Sequence, residues 1–146
     1  MTTLPPGVIA DARAAWAAFD AAIDEPHVQA IAGAFALVAT ADADVAFEEV
    51  ERFAQVVELQ PELARVDRAE LSRAFRALAS QVVRDPAQGR ALALEKVRAV
   101  ATDPARAELV VRAAQIAIVA DGKLHEAEEH ALAEVCGALG VSPEGR

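Results

Sequence analysis

Two stretches of this chain have no polar face to show to water. From Pro26 to Ala41 there is no charged residue, and Val28, Ile31, Phe35, Leu37 and Val38 occupy nearly every side of a helix. A later stretch repeats the situation with Leu109, Val110, Val111, Ile116, Ile118 and Val119. A helix that is apolar all round must be covered all round, so both are expected at the centre of the fold. Phe35, Val38, Ile116 and Val119 are the residues expected to be most deeply buried. The first stretch also holds His27, Gln29 and Thr40, and falls short of the roughly 20 apolar residues of a membrane span.

The covering segments read as helices too, so the fold class is all-α: a compact bundle of about seven helices. Apolar residues make up 54% of the chain and aromatics 4%, which leaves Ala, Val, Leu and Ile to build a core of closely crossing helices. The first helix, from Pro6 to Asp24, carries Ile9, Ala12, Trp16, Phe19 and Ile23 on one stripe. The second restarts at Glu25-Pro26, since proline is tolerated at a first helical position. Gly33 within it costs about 1 kcal/mol against alanine, and a close helix crossing is the expected reason. A third helix covers Phe47 to Leu59, ahead of Pro61. Asp67, Asp85-Pro86 and Asp103-Pro104 open the fourth, fifth and sixth. The seventh runs from Glu126 to Leu139, with Gly140 placed as a left-handed cap.

The second and third helices align with the sixth and seventh after a gapless shift of 79 residues. Asp42 falls on Asp121, Val45 on Leu124, Glu49 on Glu128, Phe53 on Leu132, Val56 on Val135 and Val57 on Cys136. In the other direction Leu37 meets Ile116 and Ala41 meets Ala120. Charge and apolar character held in phase over about 20 positions point to an internal duplication. Residues 1–146 are read as a single domain, with one repeat at 28–59, a basic middle at 65–102 and a second repeat at 104–140.

Several chemistries are excluded. Asp121-Gly122-Lys123-Leu124 with Glu128 imitates half of an EF-hand loop, but Ala117 and Val119 stand where its first oxygen ligands belong. His125 and His130 are five apart and point roughly 140° away from each other on a helix, so they cannot grip zinc as an i, i+4 pair does. His27, His125 and His130 are expected to be solvated or to cap locally. Ser72, Ser80 and Ser142 lie in no nucleophile motif, and no phosphate-cradling glycine loop occurs. The chain is therefore not expected to be an enzyme. Cys136, the one cysteine, is expected to be a buried core thiol in a reducing compartment. No secretory leader pattern is seen, and a cytoplasmic location is expected.

A net charge of −9 argues against nucleic acid as a partner. Residues 1–64 hold 2 basic and 11 acidic side chains, 65–112 hold 10 and 6, and 113–146 hold 2 and 6. Arg65, Arg68, Arg73, Arg76 and Arg84 concentrate in the middle. They form either a solvated face or a docking surface for an acidic partner or anionic headgroups. Such a surface would lie opposite the acidic repeats and make the molecule dipolar.

The run Ala120-Asp121-Gly122-Lys123-Leu124-His125-Glu126-Ala127-Glu128, with its first copy Ala41-Asp42-Ala43-Asp44-Val45-Ala46-Phe47-Glu48-Glu49, resembles the TerB-like family. That family is named for tellurite-resistance proteins and includes the N-terminal domain of a membrane-anchored DnaJ-like co-chaperone. The resemblance covers residues 28–143. It implies a helical bundle with pseudo-twofold related helix pairs and a role in stress or metal-ion response without a catalytic reaction. The implied partner is another protein, including one in a membrane-associated complex. The first copy departs from the family pattern, with Ala43 in place of glycine.

The acidic turns have two readings. Asp42, Asp44, Glu49, Asp121 and Glu128 could cap turns and helix starts. Alternatively, a pseudo-twofold gathers their hard oxygens around Ca²⁺, Mg²⁺ or Mn²⁺. The corresponding functions are a binding module that senses a divalent cation, and a protein-interaction scaffold whose acidic turns are structural. The helix pair around Asp42 should superpose on the pair around Asp121, with Phe53 and Leu132 buried in equivalent places.

Overall fold

The structure, a computed structural model, describes residues 6–18, 23–41, 47–60, 66–121 and 126–141. In chain order the helices are α1 (Pro6–Ala18), α2 (Glu25–Ala39), α3 (Phe47–Glu58), α4 (Arg68–Arg84), α5 (Pro86–Arg98), α6 (Pro104–Asp121) and α7 (Glu126–Leu139). No strand occurs among the described residues.

Aspartates start four of these helices. Asp24, Asp67, Asp85 and Asp103 each accept a hydrogen bond from the backbone N–H three residues on, in His27, Glu70, Gln88 and Arg106. Each satisfies a donor that the helix itself cannot. The end of α7 closes with glycine: Gly140 has φ 68°, and Val141 N–H reaches back to the Cys136 carbonyl at 3.0 Å. This is a Schellman closure, and Val141 packs on the core beside it.

Helix α2 lies at the centre. It packs against α4, α5, α6 and α7, and more lightly against α3. Every residue from Ala30 to Val38 is buried. Helix α6 is the second central element, bounded by α1, α2, α3 and α7. The second helix of each repeat thus reaches the first helix of the other repeat, α3 onto α6 and α7 onto α2. The duplication is visible in the helix starts, because α2 and α6 begin 79 residues apart, as do α3 and α7. Phe53 and Leu132 are both buried, as are Val57 and Cys136.

Three aromatic rings join α2, α3 and α4. Phe35 meets Phe53 edge-on at 6.1 Å between centroids, and Phe53 meets Phe75 at 5.4 Å. Pairs of this kind add about 0.5–1.5 kcal/mol to the area they bury. Gly33 does mark a close crossing. A Cβ there would stand 2.7 Å from the Ala93 carbonyl oxygen and 3.3 Å from a Val97 methyl on α5. In the second repeat the same position is Arg112, which is buried, donates to Gln115 at 3.2 Å and pairs with Glu108 at 3.5 Å. The second apolar stretch therefore contains a buried polar pair.

Phe35, Val38 and Ile116 are buried as expected, but Val119 is 43% exposed. It lies in the last turn of α6, beyond the continuously covered residues 109–118. An apolar sequence does not by itself say where its neighbours stop.

Phe35→Ala should cost about 3–5 kcal/mol in urea denaturation, because it removes a ring contact and leaves a cavity. A loss under about 1 kcal/mol would contradict the central position of α2. Gly33→Ala should destabilise by about 1–3 kcal/mol despite its better helix propensity, since α5 must move away. Gly137→Ala, with no atom within 4 Å of the added methyl, should instead stabilise by about 0.5–1 kcal/mol.

Candidate functional site

The five candidate carboxylates are not equally placed. Asp42 and Asp44 lie outside the described residues, and Asp121 is the last residue of α6, its side chain likewise outside the description. Glu49 and Glu128 occupy the same place, the third residue of α3 and of α7. There a carboxylate faces the positive end of its helix. Their surroundings differ: Glu49 is exposed and Glu128 is buried. Among the described residues no group of three or more His, Cys, Asp or Glu side chains is arranged to hold a metal ion.

At the opposite ends of the central helices, a junction forms that the repeat comparison stopped short of. The 79-residue shift also superimposes Asp24 on Asp103 and His27 on Arg106. Both aspartates are N-caps, and Arg106 bridges them, with Nη1 2.6 Å from Asp24 and Nε 3.1 Å from Asp103. One guanidinium thus ties the starts of α2 and α6 together, while its pseudo-equivalent His27 is fully buried beside it. The expectation of a solvated His27 is corrected here. Its place in the first turn resembles a surface position, but α6 packs over it.

Burial pushes the His27 imidazole down to about 4, and the Arg106 guanidinium acts in the same direction. Asp24, a hydrogen bond to the Arg106 backbone and Asp103 oppose this without reversing it. For Asp24, desolvation raises the carboxyl pKa, but the His27 backbone N–H and Arg106 together hold it below the usual 3.8. Charge repulsion had been a cue to search carboxylates. The strongly perturbed group is an imidazole, which only a tertiary contact could reveal.

The basic middle does not stand opposite the acidic repeats. Helix α4 packs directly on α3, where Arg76 contacts Glu51 at 2.8 Å and Glu58 at 3.8 Å. Ser72 donates its hydroxyl to Glu58 at 2.8 Å and is contacted by Arg76. The expected dipolar arrangement is corrected accordingly, because the acidic exposed face of α3 recruits arginine from α4. Between these two helices lies an open groove of about 560 Å³. Arg65 is outside the described residues, Arg68 and Arg73 line the groove, and Arg84 is exposed at the far end of α4.

The chain matches a family model described as tellurite resistance protein TerB over residues 28–146. No curated protein matches, and no solved structure does. The matched span takes in both repeats and the basic middle, and leaves out α1.

The His27 junction makes stability depend on pH. The unfolded chain protonates this imidazole near 6.5, the folded chain near 4, so in that window the unfolded state binds more protons. Stability is full above about pH 6.5, falls as the pH is lowered, and has lost about 3 kcal/mol by pH 4 from this group. Asp24 acts in the same sense at lower pH, since its depressed carboxyl lets the unfolded state protonate first. Denaturation midpoints measured between about pH 7 and about pH 4.5 should show the decline, and His27→Gln should flatten it. An equally steep decline in that variant would assign the effect to carboxylates elsewhere.

Proposed function

The chain belongs to the TerB family and is a tellurite-resistance-related module, and from that premise we propose that it acts by binding, without catalysis, through a divalent cation held at its two acidic turns. The observation that carries this is register. Helices α3 and α7 open 79 residues apart, each with a glutamate at its third residue, and each follows an aspartate at the same offset. Two equivalent acidic turns, on helices that cross onto each other's repeat, supply hard oxygens of the kind Ca²⁺, Mg²⁺ or Mn²⁺ prefers. Asp42, Asp44, Glu49, Asp121 and Glu128 are the residues that would hold the ion. Its binding would give the module its part in the stress response, in the cytoplasm and with a protein partner.

The exposure of Glu49 favours a second reading, in which the module is an interaction scaffold and its acidic turns are structural. The third helical residue is where the glutamate of a capping box sits. The residues ahead of the two helices are Ala46 and His125, so the reciprocal Ser or Thr is missing and each glutamate would act through the helix dipole alone.

Melting curves separate the two. A cation bound only by the folded protein adds RT ln(1 + [L]/Kd), about 2.7 kcal/mol at a concentration 100 times Kd. Millimolar Ca²⁺ or Mn²⁺ should therefore raise Tm beyond NaCl of matched ionic strength. Asp121→Asn combined with Glu128→Gln should abolish the increment while the protein stays folded. Identical curves in chelator, NaCl and divalent salt would rule the cation out. A loss of about 1 kcal/mol in Glu128→Gln under chelator would make that residue a helix cap.

A further inference from the structure

We infer that the groove between the end of α3 and the first half of α4 is a docking site for a short acidic peptide segment of a partner protein, with one apolar side chain pointing into its floor. The inference is independent of any cation at the acidic turns.

Charge comes first. Acidic residues outnumber basic ones, 23 to 14, yet Arg68 and Arg73 are exposed on the groove and have no ion-pair partner among the described residues. Arg76, deeper in the wall, is occupied by Glu51, Glu58 and Ser72. The groove therefore carries two uncommitted guanidinium forks, each able to take a carboxylate in bidentate fashion.

The apolar part is equally specific. Leu59, at the rim, is 79% exposed, the most exposed large apolar side chain among the described residues. Beneath the groove lies a cavity of about 20 Å³ walled by Phe35, Val57, Leu71 and Phe75. Glu58, Arg68 and Ser72 line both spaces, so the cavity opens onto the groove floor. It has room for little more than one water-sized group, which suits the tip of one branched side chain and is far too small for an acyl chain. Arginines bordering an apolar anchor pocket are the arrangement that recognises acidic motifs and concentrates binding energy.

The global field selects among anionic partners. A chain of net charge −9 repels extended polyanions at long range, which disfavours nucleic acid and an anionic membrane alike. Lipid recognition also calls for clusters of about 4–8 cationic side chains. A short peptide with two or three carboxylates feels mainly the local arginines, because the rest is screened within about 10 Å at 0.1 M salt.

The test is a phage-displayed library of random short peptides, selected against the full chain in chelator and counter-selected against an Arg68→Glu/Arg73→Glu variant. Enriched sequences should combine Asp or Glu with a Leu, Ile, Met or Phe. As labelled synthetic peptides they should bind about tenfold more weakly to the double arginine variant and to lose affinity with added salt. Leu59→Ser should weaken them several-fold. All three side chains are exposed, so the variants should melt with the unaltered protein. Enrichment of sequences without acidic residues, or no enrichment over the counter-selected variant, overturns the proposal. So does binding confined to vesicles of phosphatidylserine and phosphatidylcholine, which would make the groove a membrane contact. With chelator present throughout, failure here leaves the cation reading standing, and the reverse holds too.

Discussion

Helix α2 cannot be left uncovered on any side, and the arrangement of the other helices follows from that. Its residues from Ala30 to Val38 are buried without interruption. At about 25 cal/mol per Å² of apolar surface, exposing any one face of such a helix is costly. Four helices pack around it closely and α3 more lightly. Its small side chains let them approach, and at Gly33 the α5 backbone comes so near that no Cβ fits. Large aromatic residues are needed only where α2, α3 and α4 converge, at Phe35, Phe53 and Phe75.

Duplication supplied the second central helix, and the two copies then diverged in what they cover. Helix starts remain in register at a shift of 79, since caps and first turns are local chemistry. The faces have not remained equal. Gly33 admits α5, whereas Arg112 at the matching position is buried with Gln115 and Glu108. Glu49 is exposed and Glu128 buried. His27 and Arg106 are matching residues that meet where α2 and α6 begin, one as a neutral imidazole and the other as the cation bridging both caps. A position inherited twice can hold two different chemistries when the neighbours differ.

The same logic organises the surface. Helix α3 exposes Glu48, Glu49 and Glu51, and α4 brings arginines alongside. Arg76 is consumed by that contact, while Arg68 and Arg73 remain turned to the groove. Exposed ion pairs contribute little stability, about 0–1 kcal/mol each. Their effect here is to orient a cationic rim over an apolar floor, so the binding surface is a by-product of how the acidic helix is packed.

All seven helices were legible in the sequence, with boundaries close to those found, because their signals are local. Asp67, Asp85 and Asp103 cap as expected, Gly140 takes the left-handed conformation, and the family resemblance carried by the duplicated acidic turns is the family that the chain matches. The candidate site was legible only as a list of carboxylates, of which Glu49 and Glu128 can be placed with their side chains, in unlike surroundings. Tertiary packing decided what no periodicity encodes. It buried His27, left Val119 in water, set α4 against α3 and opened the groove under Leu59. The reason is physical: a cap or a helical stripe depends on residues three or four apart, whereas burial and charge pairing depend on which distant helix arrives alongside.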